Sequence, residues 1–231
     1  LGAALLALAG FEESLWAMAA ILGAILLGVV LFLPKGLPTG RKSAKLTHVW
    51  SKDARINQLS LARMFLFGAR DVWFVVGLPI YFKAILSDGT AAGDRMAFFL
   101  VGGFMAVWIM LYGAVQGTAP RLLRAQGDDP APAARQATWA AAILAPIPAL
   151  LALAALIAGG PETWLTVTLV LGLLAFGFVF ALNSALHSYL ILALSAHERV
   201  TMDVGFYYMA NAAGRLLGTL LSGLSYQIGG L

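Results

Sequence analysis

The chain has 231 residues, of which 61% are hydrophobic and 11% charged, with a net charge of +4 and a mean hydropathy of +0.86. A soluble domain of this length carries about 25% charge, so the composition excludes an ordinary water-soluble globule and predicts an all-α polytopic membrane protein. Cysteine is absent, which removes disulfides and thiolate metal sites. The positive charge lies mainly in two loops without aromatic interleaving, which argues against a nucleic-acid surface.

No charged segment precedes an apolar core at the start, so no signal peptide is expected. Residues 1–11, LGAALLALAGF, are too few to cross a bilayer, which takes about 20 residues. They are expected to be the tail of a helix whose beginning lies outside a fragment. The first full span is predicted over Leu15–Leu33, between Glu12 and Glu13 on one side and Pro34 on the other. Residues 35–57 form a polar loop carrying Lys35, Arg41, Lys42, Lys45, Lys52 and Arg55 against one acid, Asp53. A second span is predicted over Gln58–Ile85, with a kink at Pro79, where proline removes a backbone donor.

After the short loop SDGTAAGDR, a third span covers Met96–Gly117, followed by a loop over 118–136. The fourth span, Ala137–Ala158, is interrupted by Pro146 and Pro148. GGPET turns the chain into a fifth span, Trp164–Leu194, and SAHERVTMD leads to a sixth, Val204–Ile228. Taking alternate sides, loops 35–57, 118–136 and 195–203 hold ten Lys or Arg. The opposite side holds Arg95 and Lys83 beside Glu12, Glu13, Asp88, Asp94 and Glu162. The positive-inside rule then makes the basic loops cytoplasmic. Plain topology signalling accounts for the basic loop, with anionic lipid head groups as the other reading.

Charge inside the spans is the functional signal. Arg63, Arg70 and Asp71 lie within the second span, and ionisable groups in hydrocarbon are costly enough that they usually face a protein interior or an aqueous cavity. Arg63 and Arg70 are seven residues apart, which places them on one helix face roughly 10 Å apart along the axis. Asn183 and His187 share a face of the fifth span, as Asn211 and Arg215 do in the sixth, with Tyr207 and Tyr208 a turn earlier. Arg70, Asn183 and Arg215 all fall roughly 15–20 Å from the cytoplasmic helix ends and can meet near the midplane, where transporters place their substrates. Three arginines against one aspartate predict a small anionic ligand, because guanidinium forks match carboxylate and phosphate oxygens.

Blander readings stand beside this one. Asp71 and Arg215 can form a structural ion pair, Arg63 can snorkel to the cytoplasmic surface, and Asn183, Asn211 and Gln116 can simply join helices. His187 is either a proton carrier or a packing residue. No metal-ligand cluster or soluble catalytic motif is present, so neither a cofactor nor an enzymatic activity is expected.

Six spans with a long basic loop after the first resemble helices six to eleven of a twelve-helix major facilitator superfamily transporter. YGAVQGTAPRLLR, Tyr112–Arg124, resembles the second copy of that superfamily's glycine–arginine gating loop, and it carries Gly113, Gly117, Arg121 and Arg124. ARMFLFGARDVWFVVGLP, Ala62–Pro79, and GFYYMANAAGRLLGTLLSG, Gly205–Gly223, are similar to the organoarsenical efflux permease (ArsJ) family.

The resemblance implies that residues 1–34 hold the truncated end of one helix and the last helix of the N-terminal half. Residues 35–57 would be the central cytoplasmic loop, and 58–231 the C-terminal helical bundle without its final helix. It implies alternating-access export of 1-arseno-3-phosphoglycerate across a bacterial inner membrane, giving arsenate resistance with a partner glyceraldehyde-3-phosphate dehydrogenase, by a protein that is a monomer when whole.

The expected substrate-binding set is Arg63, Arg70, Asn183, Tyr207, Tyr208, Asn211 and Arg215. Asp71 and His187 are candidates for proton coupling or for holding the arginines. The alternatives are a major facilitator transporter for another anionic metabolite, such as a sugar phosphate, a multidrug exporter, or a non-transporting scaffold whose charges only pair with one another.

Overall fold

A computed structural model describes residues 2–33, 50–123, 129–160, 162–196 and 198–229. Among these every regular element is an α-helix: α1 (Gly2–Ala9), α2 (Phe11–Phe32), α3 (Ala54–Phe74), α4 (Gly77–Leu86), α5 (Ala91–Leu123), α6 (Ala131–Leu144), α7 (Pro146–Ala158), α8 (Thr163–Leu194) and α9 (Val200–Gly229). Among the described residues five segments are long and apolar enough to cross a membrane: Phe11–Phe32, Ala54–Leu86, Ala91–Leu123, Ala131–Ala158 and Thr163–Leu194. The sixth expected span corresponds to α9. It has the length but is not among the five, because Asp203, Asn211 and Arg215 dilute its hydropathy.

The proline positions explain where helices break. Pro79 cannot donate to the carbonyl four residues earlier, that of Val75, and the chain turns at Val75–Val76 between α3 and α4. Pro146 opens α7 directly after Ala145, which keeps helical angles (φ −58°, ψ −42°), so α6 and α7 remain one candidate span. Pro120 does not stop α5, which runs past the expected end at Gly117 to Leu123. At the end of α7, Gly159 takes the left-handed conformation (φ 64°) and its N–H bonds Ala155 O at 3.1 Å. Asp53 caps α3 by accepting from Arg55 N at 2.8 Å, while Asn57 and the Ser51 backbone exchange bonds of 3.0 and 2.9 Å.

Contacts divide the chain into two compact units: Leu1–His48 with Pro79–Phe104, and Val49–Leu78 with Met105–Leu231. In the first, α1 packs on α2. Lys83 pairs with Asp94 at 3.6 Å, and Ser87 donates to Asp94 at 2.6 Å, closing the turn between α4 and α5.

In the second unit α3 and α9 form the most extensive helix pairing, and α8 packs against α6 and α7. The α3–α9 seam is made by glycines. A Cβ on Gly214 would run into the Met64 carbonyl, and one on Gly218 into that of Gly68, so the two backbones touch with no side chain between them. α7 buries none of its residues, and Leu150, Leu153, Leu156 and Ile157 are exposed. An apolar exterior of this kind needs a non-aqueous solvent.

Candidate functional site

Every residue of the expected substrate set falls in the second unit, where the buried stripe of α3 runs Ile56, Leu59, Ser60, Arg63, Phe67, Gly68, Asp71 and Phe74. That three-and-four spacing is one helix face, and it carries two charges into the interior.

Arg63 is 5% exposed, so it does not snorkel to a surface. Its Nε donates to Asn211 Oδ1 at 3.2 Å, and its Nη1 to Ser184 Oγ at 2.9 Å and Ser184 O at 3.3 Å. Its guanidinium carbon lies 4.0 Å from the Phe67 ring centre and 5.1 Å from that of Tyr207. No carboxylate among the described residues pairs with it.

Ser184 on α8 is the hub of this layer. Besides Arg63, Tyr112 OH lies 3.1 Å and Gln116 Nε2 2.9 Å from its Oγ. Arg63, Gln116 and the Tyr112 hydroxyl all direct donors at this one oxygen, which makes it the acceptor that joins α3, α5 and α8.

About two helical turns further along α3, Asp71 (1% exposed) serves two arginines. Arg70 Nε and Nη2 sit 2.7 and 2.6 Å from its Oδ1, and Arg215 Nε from α9 lies 3.1 Å from its Oδ2. The Arg70 side chain is 13% exposed and that of Arg215 is 58% exposed. Sequence neighbours point about 100° apart around a helix, yet the long arginine stem folds back onto Asp71. The expected pairing of Asp71 with Arg215 is present as well. Arg70 also lies 4.8 Å from the ring centre of Phe67 and 5.3 Å from that of Phe180. The two guanidiniums on α3 thus share one aromatic ring. Phe180 packs on Phe67, Phe176 and Tyr112, and Trp108 donates to Leu173 O at 2.9 Å, which fixes this aromatic wall between α3, α5 and α8. Counting charges, three cations meet one anion.

The remaining candidates separate from this cluster. Tyr207 is fully buried beside Arg63, whereas Tyr208 is 54% exposed and touches Tyr207 only edge-on, with ring centres 5.4 Å apart. Asn183 and His187 lie on the adjoining face of α8 and line a cavity towards α6 and α7 instead. Gly113, Gly117 and Arg121, expected in a gating loop, stand on the continuous helix α5. Gly113 and Gly117 have open space where a side chain would be. Arg124 lies outside the described residues.

Residues not singled out for the site from the sequence are Ser184, Tyr112, Phe67 and Phe180. The four-residue spacing of Phe180 and Ser184 on α8 was a usable signal for a second inward face. Among the described residues, no group of three or more His, Asp or Glu could hold a metal ion. No protein-family model, curated protein or solved structure matches the chain.

Proposed function

We propose that the chain is a secondary-active efflux permease of the major facilitator type that carries a small organic oxyanion by alternating access. The observation that carries this reading is Arg63, a buried guanidinium whose partners are all neutral. Burying a charge without a counter-ion costs several kcal/mol even after relaxation. A purely structural position would be served better by an apolar or neutral side chain. A visiting anion would supply the missing charge.

Arg63 and Arg70 would receive anionic groups of the ligand, with Tyr112, Gln116 and Asn211 adding neutral hydrogen bonds. Asp71 would hold Arg70 and Arg215 in place until the ligand competes for them. A drug exporter for apolar cations has no use for three clustered arginines.

Within the class of oxyanions, the resemblance of Ala62–Pro79 and Gly205–Gly223 to organoarsenical permeases favours 1-arseno-3-phosphoglycerate, a ligand that presents carboxylate, phosphate and arsenate groups. The chain would then sit in a bacterial inner membrane with its basic loops cytoplasmic, coupled functionally to a glyceraldehyde-3-phosphate dehydrogenase.

The test is to express the gene encoding this chain in an arsenic-sensitive bacterium, with and without that dehydrogenase, and to follow arsenate resistance and cellular arsenic. Resistance that needs both genes and is lost in membrane-inserted Arg63→Gln and Arg70→Gln variants is expected. No resistance from the intact pair would overturn the arsenical assignment, and export of phosphorylated metabolites would be measured next. Resistance unaffected by both variants would remove the site.

A further inference from the structure

Arg63 donates to two helices that are joined to α3 in different ways. α9 carries Asn211 and lies in backbone contact with α3 at Gly68, Gly214 and Gly218. α8 carries Ser184 and meets α3 through rings, Phe67 against Phe180 at 5.0 Å and Trp73 against Phe176 at 4.9 Å. Its extensive packing is with α6 and α7. The Arg63–Ser184 bonds therefore bridge a glycine-fastened pair, α3 with α9, and a separately packed group, α6 to α8.

A guanidinium has five N–H groups, one on Nε and two on each terminal nitrogen. Nε is held by Asn211, and Nη1 reaches both Ser184 Oγ and Ser184 O. Nη2 carries no hydrogen bond among the described residues, and it is not one of the unpaired polar atoms sealed from contact. An oxyanion takes a guanidinium through two parallel N–H groups. Either pair that contains Nη2 needs a nitrogen already engaged. Using Nε would break the bond to α9, and using Nη1 would break the bonds to α8.

The two choices differ in what they leave behind. Among the described residues no donor other than Arg63 reaches Asn211 Oδ1. Ser184 is better served, because its Oγ also receives Tyr112 at 3.1 Å and Gln116 at 2.9 Å. Its carbonyl oxygen also receives Ser188 Oγ at 2.9 Å. Three donors on one hydroxyl oxygen exceed its two lone pairs, so the departure of Arg63 leaves that oxygen matched. Nη1–Nη2 is thus the easier edge to open, and α8 is the helix set free.

We propose that Ser184 is a releasable latch, a positioning residue that holds α8 against α3 through Arg63 and lets go when an oxyanion takes the Nη1–Nη2 edge. This role rests on Arg63 being the anion site proposed above, and it makes Ser184 the part that passes occupancy on to a neighbouring helix. Binding would move α8 relative to α3 at the level of Arg63. The α3–α9 pair, still tied by Asn211, would stay as it is.

The chain has no cysteine, so introduced pairs are the sole sites for spin labels. Leu61→Cys with Leu192→Cys reports α3 against α8, and Leu61→Cys with Leu217→Cys reports α3 against α9; all three leucines are exposed. The probe is 3-phosphoglycerate, which carries a carboxylate and a phosphate. Dipolar distance measurements on the purified chain are expected to show the α3–α8 separation changing on its addition and the α3–α9 separation unchanged. Ser184→Ala without the probe should already shift towards the changed α3–α8 distance. It should also bind 3-phosphoglycerate about tenfold more tightly, because one competing hydrogen bond to a charged group has gone. Ser184→Thr, which keeps the hydroxyl, should behave as the unaltered chain does.

An α3–α8 distance indifferent to a probe that binds would overturn the latch. So would weaker binding by Ser184→Ala, which would make the serine a ligand contact. Neither result touches the anion site itself. Binding that is absent, or that Arg63→Gln leaves unchanged, instead removes Arg63 as the anion site and the latch with it. The distances measured with Ser184 in place need no substitution at that position, so a poorly folding variant does not blunt the test.

Discussion

Asp71 holds two arginines with one carboxylate, and the exposures predict that the two bonds are worth very different amounts. The Arg70 bond joins a side chain 13% exposed to one 1% exposed through two short contacts to a single oxygen. Removing one member of a buried pair costs about 3–5 kcal/mol, because the other charge is left in a poor solvent. The Arg215 bond is single, 3.1 Å long, and its cation is 58% exposed. Screening by solvent reduces such a pair to about 0–1 kcal/mol. Asp71→Asn is therefore expected to destabilise the chain by about 3–5 kcal/mol, Arg70→Gln by slightly less because Arg215 still reaches Asp71, and Arg215→Gln by about 1 kcal/mol or less.

Detergent-denatured equilibrium unfolding followed by tryptophan fluorescence reads these values. A double-mutant cycle on each pair separates the coupling from the cost of the orphaned charge. Coupling of Asp71 to Arg215 equal to or larger than its coupling to Arg70 would refute the reasoning, as would a neutral Asp71→Asn.

The α3–α9 seam predicts that Gly214→Ala destabilises by about 1–3 kcal/mol or more, since its Cβ meets the Met64 backbone, which cannot swing aside; Gly117→Ala on open α5 should be neutral or stabilising by up to about 1 kcal/mol, and the same unfolding assay compares them. Arg63→Met should leave stability within about 2 kcal/mol, because lost hydrogen bonds offset relief of the buried charge, yet abolish efflux; a transport-competent variant would remove Arg63 from the site. Ser184→Ala breaks the bonds from Arg63, Tyr112 and Gln116 together and should cost more than Tyr112→Phe, read by unfolding.

At the start of α3, the side-chain bond from Arg55 outweighs burial and holds the Asp53 carboxyl below its usual value of 3.8. Its cap is therefore fully present above that pH and is lost as pH falls through the lower folded value. Arg55 amide shifts should follow that titration in the unaltered chain and be flat in Asp53→Asn.

Much of the helical layout was legible because apolar runs, charged loops and prolines are local signals. The break at Val75–Val76 lies where a proline at 79 puts it, and the pair of prolines at 146 and 148 marks the α6–α7 joint. The third span ends at Gly117 by sequence, yet α5 continues to Leu123 through Pro120, since a proline near a helix end removes one bond without forcing the chain to stop. The site was legible as a set of residue types more than as an arrangement.

Spacing brought Asn211 to the same helix face as Arg215, but not to its hydrogen bond with Arg63, which depends on the α3–α9 register. Spacing also left Asn183 and His187 beside the arginines, whereas the rotation of α8 turns them towards α6 and α7. Ser184 drew no notice as a hub because a serine in an apolar helix has many uses, and only the convergence of three helices reveals this one.

The glycine seam between α3 and α9 has a mechanical consequence. Helices that interlock through large side chains resist axial slip, because each knob must climb out of its hole. Where Gly68, Gly214 and Gly218 bring bare backbones together, that ratchet is missing. Axial alignment along this stretch then rests on the polar tethers at either end, Arg63 to Asn211 and Asp71 to Arg215. Both tethers end on an arginine, so losing either guanidinium loosens the axial register of the seam while the backbone contact at the glycines keeps the two helices together.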